Sequence, residues 1–88
     1  MPAHDPRLVD YILLRRPLVE RATGYSRSTL YSRMASGLWP KPVPLGARAV
    51  AWPAHEVEAM NAARIAGLGE RQLRDLVQRL EAERRKLG

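Results

Sequence analysis

The stretch "TGYSRSTLYSRMASG" at residues 23–37 combines the end of one predicted helix with the start of another. Gly24 favours the left-handed backbone conformation that ends many helices. Ser26 has a hydroxyl group that can accept a hydrogen bond from an N–H in the first turn of a new helix. Gly37 is a typical stop for that helix. We therefore predict a second helix at about Arg27–Ser36, joined to the first by a short turn, as in a helix-turn-helix unit.

The residues before this turn predict a short first helix. Pro17 is compatible with a first helical turn, because the N–H that proline lacks has no partner there. Leu18, Val19 and Ala22 can then face inward. The preceding run from Arg7 to Leu14 fits a strand or a helix end equally well, since periodicity does not distinguish the two in so short a segment.

The segment after Gly37 predicts a small β-hairpin. Three prolines at Pro40–Pro44 exclude a helix there. Two apolar stretches, Val43–Leu45 and Ala49–Ala51, flank the turn residues Gly46–Arg48. A hairpin that follows the second helix in this way is a "wing". A third helix is predicted to run from Pro53 to about Ala66.

A final helix is predicted from Glu70 to Leu87, after a break at Gly67–Gly69. Its apolar residues form one stripe with helical spacing. The stripe could pack on the domain itself, pair with a second copy in a homodimer, or contact another protein. Its members are Leu73, Leu76, Val77, Leu80 and Leu87.

The positive charge is concentrated in the first half of the chain. The net charge is +6. Residues 7–48 contain eight Arg or Lys against two acidic residues, whereas residues 49–88 contain seven against six. This asymmetry indicates a polyanionic partner, such as nucleic acid, for the first half.

A helical wheel of the second helix explains what such a partner would meet. Leu30 and Met34 share the side that must be buried, and Ser28, Ser32 and Ala35 lie opposite. Small hydroxylated side chains suit a helix that enters the major groove of double-stranded DNA. The alternative is that these residues are merely exposed to solvent. The candidate DNA-binding residues are Arg15, Arg16, Ser26, Arg27, Ser28, Thr29, Tyr31, Ser32, Arg33, Lys41 and Arg48.

Three aromatic residues have two interpretations each. Tyr31 could bond a phosphate through its hydroxyl group or pack against the wing or first helix. Trp39 and Trp52 flank the hairpin and could stack on bases. We instead favour a role for both as core anchors, because so small a hairpin needs large apolar side chains.

The motifs "TGYSRSTLY", "GLWPKPVPLG" and "RAVAW" occur in the order and spacing found in the AlpA family of prophage regulatory proteins, which the chain resembles from about Leu14 to Arg64. The resemblance implies a winged-helix DNA-binding regulator that controls transcription or supports prophage excision. It assigns the recognition helix to Ser26–Gly37 and the wing to Val43–Trp52. Three residues depart from the family pattern at packing positions, namely Arg16, Trp39 and Met60.

Other functional classes find little support in the sequence. The chain lacks cysteine, which excludes disulfides and thiolate metal sites. His4 falls in a predicted tail and His55 in the first turn of a helix, so they do not predict a metal site. No catalytic constellation is visible. We expect no enzymatic activity, cofactor, small-molecule substrate or membrane span, and a cytoplasmic, nucleoid-associated protein.

The predicted fold is mainly α with a small two-stranded β wing, that is, a winged helix-turn-helix with an extended C-terminal amphipathic helix. The predicted boundaries are a disordered tail at residues 1–6, the DNA-binding domain at 7–66 and the C-terminal helix at 67–88. We expect a sequence-specific DNA-binding transcriptional regulator or excisionase-like factor. The alternative is a small protein-interaction or DNA-packaging adaptor in which DNA contact is secondary.

Overall fold

The structure is a computed structural model that describes residues 11–87, so the tail predicted for residues 1–6 lies outside the described residues. Its mainly helical architecture with a small sheet confirms the predicted fold class. In chain order the elements are β1 (Leu13–Arg15), α1 (Arg16–Thr23), α2 (Arg27–Ala35), β2 (Val43–Pro44), β3 (Val50–Pro53), α3 (Ala54–Ile65), α4 (Glu70–Arg84) and a final 3-10 turn (Arg85–Leu87).

The turn between α1 and α2 has the predicted signals at both ends. Gly24 ends α1 with a left-handed φ of 78°, and its N–H donates to the Glu20 carbonyl at 2.8 Å. Ser26 caps α2 by accepting from the N–H of Thr29 at 3.2 Å. Three residues therefore separate the two helices, which confirms the helix-turn-helix unit.

The sheet contains a third strand besides the predicted hairpin. The strand order is β1-β3-β2, and both pairs are antiparallel. Leu14 lies opposite Trp52 in one pair, and Val43 lies opposite Ala51 in the other. The segment that the sequence left open as strand or helix end thus contributes β1. An isolated two-stranded hairpin is marginally stable in water, and β1 gives β3 a neighbour on each side.

Both tryptophans are buried in the core, as expected of anchors. Trp39 is 1% exposed and Trp52 is 0% exposed. The indole N–H of Trp52 donates to the Pro40 carbonyl at 2.8 Å, which fastens the segment before the wing to β3. The other large side chains that are completely buried include Leu30 and Met60, so α2 and α3 contribute to the same core.

The C-terminal helix packs on its own chain. Leu73, Leu76 and Val77 are buried in the core, and Leu80 packs against it half-buried. Leu87 is 59% exposed. Of the alternatives for the apolar stripe, intramolecular packing therefore accounts for Leu73, Leu76 and Val77 fully and for Leu80 in part. The five residues do not form one surface free for a homodimer.

A buried ion pair joins α4 to α3. Glu56 is completely buried, and both of its carboxylate oxygens accept from Arg84, from Nε at 2.8 Å and from Nη2 at 2.6 Å. The hydrogen bonds to Glu56 raise the pKa of Arg84. The sequence offers no signal for this pair, because 28 residues separate its members.

Candidate nucleic-acid interface

Helix α2 has one buried side and one open side, as the helical wheel predicted. Leu30 is completely buried, and Met34 packs half-buried against the core. Ser28 and Ser32 are exposed. The core therefore holds α2 by a few apolar contacts and leaves its hydroxylated side accessible.

A network of hydroxyl groups surrounds the N-terminus of α2. The Ser26 hydroxyl donates to the Thr29 hydroxyl at 3.0 Å and lies 3.3 Å from the Ser28 hydroxyl. Arg27 and Tyr31 line a surface depression together with Ser26 and Ser28, and the Arg27 guanidinium carbon lies 6.0 Å from the Tyr31 ring centroid. Because a hydroxyl can both donate and accept, this exposed end of the helix keeps hydrogen-bonding capacity toward a ligand.

Tyr25, in the turn, organises the cations at the inner side of the helix pair. The Arg33 guanidinium carbon lies 5.4 Å from its ring centroid, and that of Arg64 lies 4.2 Å away. Arg64 also donates to the Thr23 carbonyl at 3.0 Å, so it caps the end of α1 from α3. The ring in turn meets Trp39 edge-on with centroids 5.8 Å apart. Arg33 is therefore half-buried and partly occupied by an intramolecular contact.

The two arginines before α1 have different environments. Arg15 is an exposed residue of β1. Arg16 begins α1 and forms an i,i+4 ion pair with Glu20 on the same helix. A carboxylate thus already neutralises part of the charge of Arg16, whereas the charge of Arg15 faces solvent.

The remaining two candidates lie at the wing. Arg48 is exposed in the turn that joins β2 to β3, which is closed by a 2.7 Å hydrogen bond from the Leu45 N–H to the Ala49 carbonyl. Lys41 precedes β2 with an exposed side chain, and its backbone is held by α4 at both polar groups. Its N–H donates to Glu81 at 2.8 Å, and its carbonyl accepts from Arg84 at 2.7 Å.

The structure thus brings together five of the eleven candidates in one contact set at the start of α2. The other six lie at the end of β1 and the start of α1, further along α2 on its open and inner sides, and at the wing. Six of the eleven candidates are cations, of which four are exposed and two are half-buried with intramolecular partners. The contact set consists of Ser26, Arg27, Ser28, Thr29 and Tyr31, the exposed cations are Arg15, Arg27, Lys41 and Arg48, and the partnered cations are Arg16 and Arg33.

The sequence did not predict the contacts that Tyr25, Glu56, Glu81 and Arg84 make across the fold. Tyr25 had a local signal, since it is the only aromatic residue in the turn. The other three act across the fold and had none. Within residues 11–87, no helix has both the length and the apolar composition that a membrane span requires.

Comparison with known proteins identifies a family whose model matches this chain. The model of the family described as "Prophage CP4-57 regulatory protein (AlpA)" matches residues 12–65. The uncharacterized protein ORF88 of Enterobacteria phage P4 is 44% identical over 62 residues, which cover 70% of this chain and 70% of that protein. No solved structure matches the chain. The family match includes all eleven candidate residues and ends before α4.

Proposed function

The chain belongs to the AlpA family of prophage regulatory proteins, and we propose that it acts as a sequence-specific DNA-binding transcriptional regulator or excisionase-like factor. The observation that carries this proposal is the open side of α2. Ser28 and Ser32 are exposed there, while Leu30 on the opposite side is completely buried. A helix that is fixed from behind and bears the small side chains of Ser28, Ser32 and Ala35 in front can approach base edges closely.

In the proposed complex, α2 is the recognition helix and lies in the major groove. A groove about 12 Å wide admits one α-helix when its outer side chains are small. The hydroxyl groups of Ser28, Thr29 and Ser32 can bond base edges or phosphates. Arg27 is exposed at the start of the helix and can reach a guanine, and the helix N-terminus favours a nearby phosphate.

The wing and the region before α1 contribute contacts to the DNA backbone in this proposal. Arg48 is exposed at the hairpin turn and would contact the adjacent backbone or minor groove. Arg15 and Lys41, also exposed, would hold phosphates. Arg16 and Arg33 keep N–H donors beyond their intramolecular contacts, and we assign them a supporting role.

The proposal is tested by selecting duplexes from a random library with the purified full chain. We expect one enriched motif. Affinity for that motif, measured by fluorescence anisotropy, should fall steeply with salt, because each phosphate contact releases counterions. If Arg15, Lys41 and Arg48 all contact phosphate, the slope of log affinity against log salt is about −2.7. An unenriched library together with salt-independent or absent binding would overturn the proposal and favour the adaptor function.

Homodimerisation through the apolar stripe of α4 is a separate proposal. The packing of α4 reduces the number of stripe residues that a dimer could use. Three of the five stripe residues lie in the core, so a dimer could use only Leu80 and Leu87 from that set. A symmetric dimer would protect two half-sites about 34–36 Å apart in an inverted repeat. Footprints at single or directly repeated sites would argue against it.

A further inference from the structure

The segment Ser36–Lys41 connects the recognition helix to the wing and has no regular secondary structure of its own. We call it the connector. The side chains of Leu38 and Trp39 anchor its middle in the core, where they are 6% and 1% exposed. The position of the connector sets the distance and angle between the end of α2 and the start of β2. Any change in the connector would therefore alter the geometry between the two elements that are proposed to contact DNA.

Three side chains of α4 bind the backbone at the two ends of the connector. At the first end, Arg74 Nε donates to the Ser36 carbonyl at 3.0 Å. At the second end, Glu81 accepts from the N–H of Lys41 at 2.8 Å, and Arg84 donates to the carbonyl of Lys41 at 2.7 Å. We call Arg74, Glu81 and Arg84 the clamp.

Two of the three clamp residues make further contacts that hold them in place. The ion pair with Glu56, which is completely buried, fixes Arg84 from the other side. The aliphatic part of Arg74 lies over Gly37, such that a Cβ on Gly37 would be 3.8 Å from Arg74 Cγ. Since all three clamp bonds go to backbone atoms, they fix the course of the connector whatever its side chains are.

The clamp also acts on a proposed DNA-binding residue. Both backbone polar groups of Lys41 are occupied by α4, while its side chain is exposed. The side chain therefore extends from a fixed point toward solvent. Binding sites need their contacting groups held within about 0.5 Å of the productive geometry, and side-chain-to-backbone hydrogen bonds provide such support.

We propose that Arg74, Glu81 and Arg84 are positioning residues for DNA recognition, and that they set the geometry between the recognition helix and the wing. The inference rests on the proposed function of the interface. It gives α4, which lies beyond the family match at residues 12–65, a role in specificity without contact to DNA.

Glu81 provides the sharpest test, because electrostatics and positioning predict opposite effects. Glu81→Ala removes a negative charge, and a more positive protein should bind any duplex more tightly. If Glu81 positions the connector, the same substitution weakens binding to the selected motif. Glu83→Ala is the matched control, because it makes the same charge change on the same helix at an exposed residue whose hydrogen-bond partner is Lys86. Glu81→Gln also removes the charge, but keeps an oxygen that can accept from Lys41.

The experiment measures the affinity of these full-length variants for the selected motif and for a scrambled duplex, at a temperature where circular dichroism shows all of them folded. We expect Glu81→Ala to lose about tenfold in affinity for the motif, the cost of a single poor base contact. Its affinity for the scrambled duplex should be unchanged or higher. Glu83→Ala and Glu81→Gln should bind both duplexes at least as tightly as the original protein. The inference is overturned if Glu81→Ala behaves like Glu83→Ala on both.

Failure of the proposed function would look different. If the original protein prefers no duplex, DNA recognition is wrong, but the clamp can still be examined directly. Residual dipolar couplings of the amides in α2 and in the β2–β3 hairpin report the angle between them. The clamp predicts a changed angle and faster amide exchange at Lys41 in Glu81→Ala, and unchanged values in both would overturn it.

Discussion

The helices α2 and α4 differ in how much of their surface packs against the rest of the fold. Helix α2 spans nine residues, of which only Leu30 is buried, and its outer side is open. Helix α4 spans fifteen residues, buries three apolar side chains and binds the backbone of the connector with three polar ones. One helix lies within the family match, and the other lies outside it.

The difference shows where a short, exposed helix such as α2 obtains its stability. A nine-residue helix is too short to be stable alone in water, so other parts of the fold must hold it. Ser26 supports α2 at its N-terminus through the capping hydroxyl. Leu30 supports one side by packing in the core, and the connector supports the C-terminus. The outer face of α2 can then be selected for contact with a partner and not for packing.

The largest predicted effect concerns α4. Arg84→Met leaves the carboxylate of Glu56 completely buried without a cation, and we expect a loss of about 3 kcal/mol in the free energy of unfolding. Urea denaturation followed by circular dichroism measures it. The control Arg85→Met removes the exposed cation next to Arg84 and should have little effect on the free energy of unfolding. In addition, Glu56→Leu combined with Arg84→Met should recover most of the loss, and a double variant as unstable as the single one would contradict this account.

The second prediction tests Leu30, the one side chain of α2 that is completely buried. Leu30→Ala opens a cavity at a completely buried position, and we expect a loss of about 2.5 kcal/mol. The same change at Leu87, which is 59% exposed, should cost less than about 0.5 kcal/mol. Thermal unfolding of the two variants compares them directly. Equal costs would mean that α2 does not depend on this anchor.

The third prediction concerns the hydroxyl cap of α2. Ser26→Ala removes the acceptor for the N–H of Thr29, and we expect a loss of about 1 kcal/mol in the free energy of unfolding. Ser36→Ala is the matched control at the opposite end of the helix, where the side chain is exposed. Amide hydrogen exchange at Thr29 should accelerate only in the first variant. Acceleration in both would show general fraying and not the loss of a cap.

The fourth prediction has the smallest expected effect on stability, and it distinguishes a role of Ser32 in folding from a role in DNA binding. Ser32→Ala lies on the open side of α2, and alanine favours a helix over serine by about 0.5 kcal/mol or less. The variant should therefore be as stable as the original protein or slightly more so. Its affinity for the selected DNA motif should nevertheless fall about fivefold, as expected for one lost polar contact. A variant with unchanged affinity would remove Ser32 from the proposed interface.

The part of the fold that depends on local sequence signals was predictable. The Gly24 turn, the Ser26 cap and the hairpin near Arg48 involve residues within a few positions of each other, and the structure contains all three. The two sides of α2 followed from its periodicity. That the candidate residues contact DNA remains a prediction. The structure adds how exposed each of them is, and therefore which are accessible to a partner. Arg27 and Arg48 are open to a partner, whereas Arg33 is partly occupied by Tyr25.

The sequence by itself thus determined the helices, the Gly24 and Ser26 caps, the wing and the basic character of the first half, because these depend on neighbours along the chain. Only the tertiary structure decided where the apolar stripe of α4 packs, that β1 completes the sheet, and which charges pair internally. Arg84 meets Glu56 across 28 positions and Lys41 across 43. Such pairings depend on the packing of whole elements, and residue types alone carry no record of that geometry.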